Sequence, residues 1–150
     1  MRAVLSRRGV PWLLIAAAAC DINPYDPAQR PRVTVTQVAG GSPVIGWEPA
    51  GAQLVRIYRG PVAGDGYGDR LVWSIAANAR NGLVSGVAYG AAPSGGTTDV
   101  EARPLVAGEI YTAQVTRHDP KASGDGFTNT ANRYVGTATF TVTTAGSSAR

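Results

Sequence analysis

Cysteine, methionine and histidine are scarce in this sequence, and each scarcity excludes a class of site. The 150 residues contain one cysteine, one methionine and one histidine. A single cysteine forms no intramolecular disulfide, and a zinc site built from several thiolates is excluded. The histidine, His118, lacks the partners that a histidine-based metal site needs. We therefore expect no disulfide scaffold, no metal centre and no cofactor.

Long apolar runs are missing as well. The most apolar stretch, residues 10–19, is ten residues long. As a helix it would span roughly 15 Å, about half of a hydrocarbon core. Arg2, Arg7 and Arg8 precede it, and small residues end it. A basic segment, a short apolar segment and small residues before a cleavage point are typical of a secretory signal peptide. The sequence predicts that residues 1–19 are removed.

Little net charge is left after that cleavage. The chain has 14 basic and 10 acidic residues, and three of the basic ones lie within residues 1–19. The remaining 131 residues therefore carry 11 basic against 10 acidic side chains. A nearly neutral chain without a basic cluster argues against nucleic-acid binding. Its length leaves room for one domain.

Cys20 follows directly after Ala17-Ala18-Ala19. The arrangement resembles the lipobox of bacterial lipoproteins, although that family usually has leucine where this chain has Ala17. The resemblance implies that Cys20 becomes the first residue and carries a diacylglycerol and an acyl chain such as palmitate. Two or more chains make membrane anchoring stable. The alternatives are an ordinary signal peptide cut elsewhere and, through Arg7-Arg8, twin-arginine export.

The residues after the cysteine have a β composition rich in Val, Thr and Gly, with no clean 3.6-residue apolar period. Residues 20–31 contain three prolines and predict an extended tether. Residues 145–150 predict a disordered tail. Between them, residues 32–144 predict an all-β, immunoglobulin-like antiparallel β-sandwich, with a small soluble barrel as the alternative. About seven strands are expected, at residues 33–37, 44–47, 54–59, 71–75, 83–89, 109–117 and 133–143.

Three short motifs together resemble a fibronectin type III domain. Trp47 lies two residues before Pro49, and the strand-like run Leu54-Val55-Arg56-Ile57-Tyr58 follows. Leu105, Gly108 and Tyr111 then repeat at a spacing of three. The resemblance implies a buried Trp47 and a tyrosine corner, in which the Tyr111 hydroxyl bonds back to nearby backbone. The family often has proline where this chain has Ala107.

Two glycine-rich loops are the candidate ligand-binding elements. They read Gly64-Asp65-Gly66-Tyr67-Gly68-Asp69 and Gly124-Asp125-Gly126-Phe127-Thr128-Asn129. The candidate contacts are Asp65, Tyr67, Asp69, Asp125 and Phe127, with a glycan or a protein as partner. Calcium binding through the aspartates is an alternative, although neither loop continues to an EF-hand glutamate. Ordinary Asp-Gly turns are the other alternative.

The sequence offers little support for an enzyme. His118-Asp119 is the only pair that resembles part of a catalytic triad, and no G-x-S-x-G nucleophile elbow accompanies it. We expect His118 to begin a loop, exposed to solvent. The function predicted is a non-enzymatic cell-envelope lipoprotein. It is held to a membrane by Cys20, on the periplasmic or extracellular face, and presents one type III-like module for structural or protein/glycan interaction. The alternatives are an accessory subunit of an envelope assembly and a cryptic hydrolase.

Overall fold

A computed structural model of the chain describes residues 26–38, 40–62, 70–121 and 133–143. These residues form a short 3₁₀ turn, Pro27–Gln29, and eight strands in two antiparallel sheets. The predicted all-β sandwich is therefore confirmed. The strands are β1 (Arg32–Thr36), β2 (Val44–Glu48), β3 (Leu54–Arg59), β4 (Leu71–Ala77), β5 (Val87–Ala88), β6 (Gly96–Val100), β7 (Ile110–His118) and β8 (Arg133–Thr141).

The two sheets divide the strands unevenly. One has the order β1-β2-β5, and the other has the order β6-β4-β3-β7-β8. The longest ladder joins β7 to β8, with Ile110 opposite Thr141 and His118 opposite Arg133. We call the end of the sandwich near Arg32 and Arg133 the proximal end. The opposite end, where β3 finishes at Arg59 and β7 begins at Ile110, is the distal end.

Alternate residues of the central strands meet between the sheets. This follows from the two-residue period of a strand, which places every second side chain on the same face. Trp73 is the largest of the fully buried side chains, and its ring centroid lies 5.2 Å from that of Tyr89. Around it lie Ile45, Trp47, Val55, Ile57, Ile75, Leu83, Tyr111, Ala113 and Val115.

The middle of the chain departs from the prediction. The strand expected over residues 83–89 is reduced to two residues, with Leu83 forming only an isolated bridge to Ala52. The reason lies at Ser85, whose hydroxyl accepts a hydrogen bond from the Trp47 backbone N–H at 2.7 Å and so replaces a ladder bond. An eighth strand, β6, lies between the strands expected over residues 83–89 and 109–117, where no strand was predicted.

The described part of the predicted tether lies against the sandwich. The Asp26 backbone N–H donates to the Tyr134 hydroxyl at 3.0 Å, and Arg30 Nε donates to the Val135 carbonyl at 3.1 Å. Pro31 is buried beside Gly136, where the two backbones approach closely. Residues 26–31 are thus held along the first half of β8.

Candidate functional site

Six of the predicted site residues lie outside the described residues. They are the anchor Cys20 and the loop residues Asp65, Tyr67, Asp69, Asp125 and Phe127. Lipidation, loop recognition and calcium binding therefore stay predictions. In the part of the chain that is described, no cluster of His, Cys, Asp and Glu side chains is arranged to hold a metal ion. The described residues also include no helix that is long and apolar enough to cross a membrane.

Of the predicted structural residues, Trp47, Leu105 and Tyr111 lie in or beside the core, and Gly108 is exposed in the turn between Leu105 and Tyr111. Tyr111 is fully buried, and its hydroxyl accepts a hydrogen bond from the Val106 backbone N–H at 2.9 Å. The same hydroxyl donates to Glu109 Oε2 at 3.2 Å. Leu105 packs against the core, Gly108 has a φ of 81°, and Trp47 is buried in β2. These contacts fix the turn that precedes β7 at the distal end.

Removing the Tyr111 hydroxyl should measurably weaken the domain. In Tyr111→Phe the ring still fills its place beside Phe140, but the Val106 backbone N–H loses its acceptor. We expect a loss of about 1 kcal/mol or more in the free energy of unfolding. Urea denaturation followed by circular dichroism measures it. Tyr58→Phe, on another fully buried tyrosine, is the matched comparison, and equal losses in both variants would contradict a special role for the corner bond.

His118 is not the solvated loop residue that the sequence predicts. It ends β7 and is 4% exposed, and Asp119 is 5% exposed. The Asn81 side chain bonds both backbone groups of His118, each at 2.8 Å. Asp119 accepts from the Lys121 backbone N–H at 2.8 Å and from the Tyr134 hydroxyl at 3.3 Å. Asn81 and Tyr134, which lie far from His118 and Asp119 in the sequence, therefore help to hold this pair in place.

The described contacts of this pair join neighbouring segments of the fold. His118 Nδ1 is buried and has no hydrogen-bond partner among the described residues. Within the described ranges, none of the hydrogen bonds of His118 involves a serine hydroxyl, so no nucleophile is aligned with it. The Tyr134 hydroxyl links Asp119 to the Asp26 backbone, and the carboxylate therefore helps to hold the N-terminal segment.

Stability should depend on pH through His118. Burial, followed by the positive charges of Arg133 and Arg80, lowers the pKa of this imidazole from its usual 6.5. Below about pH 6.5 the unfolded chain binds more protons than the folded one. The contribution of His118 to the free energy of unfolding is therefore fully present above about pH 6.5 and is lost as the pH falls toward the lower pKa of the folded state. We expect the advantage of the native protein over His118→Gln, measured by urea denaturation, to shrink from about pH 7.5 to about pH 5.5. A constant difference would contradict this.

Three arginines meet at the distal end, and the sequence analysis did not single them out. Arg59 ends β3, Arg70 directly precedes β4, and Arg103 follows β6. Together with Val72 and Pro104 they line a cleft of about 320 Å³. Only the fold brings them together, because Arg59 and Arg103 are 44 residues apart in the sequence. The available signal was limited to Arg59 at the end of one predicted strand and Arg70 directly before another.

A second cleft of about 320 Å³ opens near the corner, between the β1–β2 turn and the segment after β8. Its lining includes Pro43, Tyr89, Leu105, Val142 and Thr143. The distal end thus carries the corner and two concave surfaces. No family model matches this chain, and neither a curated protein nor a solved structure matches it.

Proposed function

We propose that this chain is a cell-envelope lipoprotein that carries one fibronectin type III-like module and uses it for binding rather than catalysis. The observation that carries the proposal is Cys20, the single cysteine, placed directly after Ala17-Ala18-Ala19 and a short apolar stretch. An acylated cysteine at this position would tether the domain by its N-terminus.

The arrangement of the N-terminal segment supports this role. Asp26, six positions after Cys20, is already bonded to Tyr134 at the proximal end. A tether of about five residues reaches at most roughly 18 Å. The proximal end would therefore stay close to the bilayer. Eight steps along β7 at about 3.4 Å each separate its two ends by roughly 27 Å. The distal end would then point away from the bilayer, where a partner in the envelope is accessible.

The type III-like assignment is supported by the corner and by the sheet order. The Tyr111 hydroxyl bonds the backbone five residues upstream, as a tyrosine corner requires. The first, second and fifth strands share one sheet, while the third and the last two belong to the other. This division is that of immunoglobulin-like sandwiches. The chain differs by β6, an additional strand beside β4.

Non-enzymatic binding is supported by the state of the one triad-like pair. His118 and Asp119 are buried, and their described contacts hold β7, β8 and the N-terminal segment together. A general base must reach the proton that it abstracts in a bound substrate. A buried imidazole without an aligned hydroxyl does not meet that requirement.

Replacing Cys20 by alanine should abolish lipidation. We expect a fatty-acid probe to label the native protein in a bacterial host and to leave Cys20→Ala unlabelled, with the variant released from the membrane fraction. Asp21→Asn is the matched control, because it changes the neighbouring residue and keeps the thiol. Labelling of Cys20→Ala at the native level would overturn the anchor.

A further inference from the structure

The cleft formed by Arg59, Arg70, Val72, Arg103 and Pro104, which we call the arginine cleft, is built from three separate segments. Arg59 and Arg70 flank the β3–β4 connection. The segment after β6 continues beside β4, because the Arg103 backbone N–H donates to the Val72 carbonyl at 3.0 Å. Three arginines from these segments therefore line one cleft of about 320 Å³.

The backbone that carries Arg103 is held from the core side. The Tyr89 hydroxyl donates to the Arg103 carbonyl at 2.6 Å, and the Val72 carbonyl lies 3.3 Å from the same hydroxyl. Burial raises the pKa of Tyr89 to about 12, so the hydroxyl keeps its proton and remains a donor. Pro104 restricts the backbone of Arg103, the residue before it. The backbone of Arg103 is thus held before any ligand arrives, which removes part of the entropic cost of binding.

The positive charge of the arginine cleft is only partly neutralised by the described residues. Arg59 Nε lies 2.9 Å from Glu109 Oε2, and an Arg70 guanidinium nitrogen donates to the Pro61 carbonyl at 3.3 Å. In the described ranges no acceptor bonds the Arg103 guanidinium. Among the described residues, Glu109 is the one carboxylate paired with these three arginines, and Arg70 and Arg103 have no carboxylate partner there. Like charges gathered at one place repel one another, so a bound anion would stabilise the arrangement.

We propose that the arginine cleft binds the phosphate of a phosphate monoester. A monoester phosphate carries about −1.5 to −2 charges near pH 7, which suits three neighbouring arginines better than the single charge of a carboxylate does. Guanidinium groups bind phosphate oxygens through pairs of parallel hydrogen bonds. The cleft volume is in the range of small-molecule sites, and Val72 and Pro104 offer an apolar wall to the organic part.

This inference deepens the proposed function, because it names the chemistry that the distal end of the binding module recognises. It rests on that proposal only in making the sandwich a binding module. The described contacts of the cleft do not involve Cys20. The experiment therefore uses the chain carrying Cys20→Ala, so that failure of the cleft and failure of the anchor give separate results.

The test is a titration with glucose 6-phosphate, followed by calorimetry and by backbone amide chemical shifts. We expect saturable binding at millimolar concentrations, with shifts at the arginine cleft and weaker binding of acetate at the same ionic strength. Arg103→Gln and Arg70→Gln should each weaken binding about tenfold or more. Arg32→Gln is the matched control, because Arg32 is paired with Glu48 at the proximal end. This variant should bind glucose 6-phosphate with unchanged affinity.

Two results would overturn the proposal: no saturable binding of glucose 6-phosphate, or equal affinity in the unsubstituted cleft and in folded Arg103→Gln. Urea midpoints of all variants establish that they are folded. A parallel arm uses vesicles of phosphatidylcholine with phosphatidic acid, whose headgroup is a phosphate monoester. Vesicle binding that is lost in Arg103→Gln would support the site and assign its phosphate to a lipid, whereas binding of the soluble ester alone would support it with a soluble ligand.

Discussion

Trp73→Ala should cost about 3–5 kcal/mol of the free energy of unfolding, within the range observed for deleting a buried aromatic side chain. Trp73 is fully buried in β4, opposite Ile57, and its ring reaches Tyr89, which directly follows β5 of the other sheet. Its removal would open a cavity that both sheets line. Domains of this size are stable by roughly 5–15 kcal/mol, so the variant would lose a large part of that stability. Urea denaturation followed by circular dichroism measures the loss.

Trp73→Phe separates the apolar packing of this side chain from the effect of its buried indole N–H. The indole Nε1 is buried without a hydrogen-bond partner in the described part of the chain. Phenylalanine removes that unpaired donor and keeps most of the apolar contact. We therefore expect Trp73→Phe to lose far less stability than Trp73→Ala. If both variants were destabilised equally, filling of the space between the sheets would not be the role of Trp73.

Gly136→Ala should destabilise the domain by about 1–3 kcal/mol, the range for overpacking a well-packed site. Gly136 lies in β8 opposite Val115, and a β-carbon there would overlap the carbonyl oxygen of Pro31. The Pro31 backbone cannot rotate away from the added β-carbon as a long side chain could. Pro31 is also held on both sides, by the bond of Arg30 to Val135 and by the pairing of Arg32 with Glu48. Thermal and urea denaturation report the loss.

A shortened chain provides the decisive comparison for Gly136. In a chain that begins at Arg32 the Pro31 carbonyl is gone, and alanine in a strand is otherwise favoured over glycine by about 0.5–1 kcal/mol. The substitution should then cost little or stabilise. Thr139→Ala, at an exposed position of the same strand, should change stability by no more than about 0.5 kcal/mol in either chain. An equal cost of Gly136→Ala in both chains would rule out the Pro31 contact as its cause.

The strands that could be predicted are those whose own residues carry the pattern. β8 alternates Tyr134, Gly136, Ala138 and Phe140 on one face with threonines on the other, and the structure has a strand there. β6 reads Gly-Thr-Thr-Asp-Val and has no apolar face. As an edge strand of its sheet it is formed by pairing with β4 rather than by its own pattern.

The candidate sites likewise could be predicted only where the residues involved lie close together in the sequence. The spacing of Leu105, Gly108 and Tyr111 lies within seven residues, and the structure places the Tyr111 hydroxyl on nearby backbone. The positions of His118 and Asp119 depend on bonds to Asn81 and Tyr134 respectively, which are far from the pair in the sequence. Nothing local to His118 distinguishes it from a solvated loop residue. The arginine cleft depends in the same way on long-range strand pairing, so local spacing could not reveal it.

The direction of β1 has a mechanical consequence. β1 begins at the proximal end, where residues 26–31 enter, and its five residues pair with β2 from Arg32 opposite Glu48 to Thr36 opposite Val44. Tension between the N-terminus and a load at the distal end would run along this strand. Because ladder hydrogen bonds lie perpendicular to antiparallel strands, such a pull would shear the whole ladder at once instead of opening it one bond at a time.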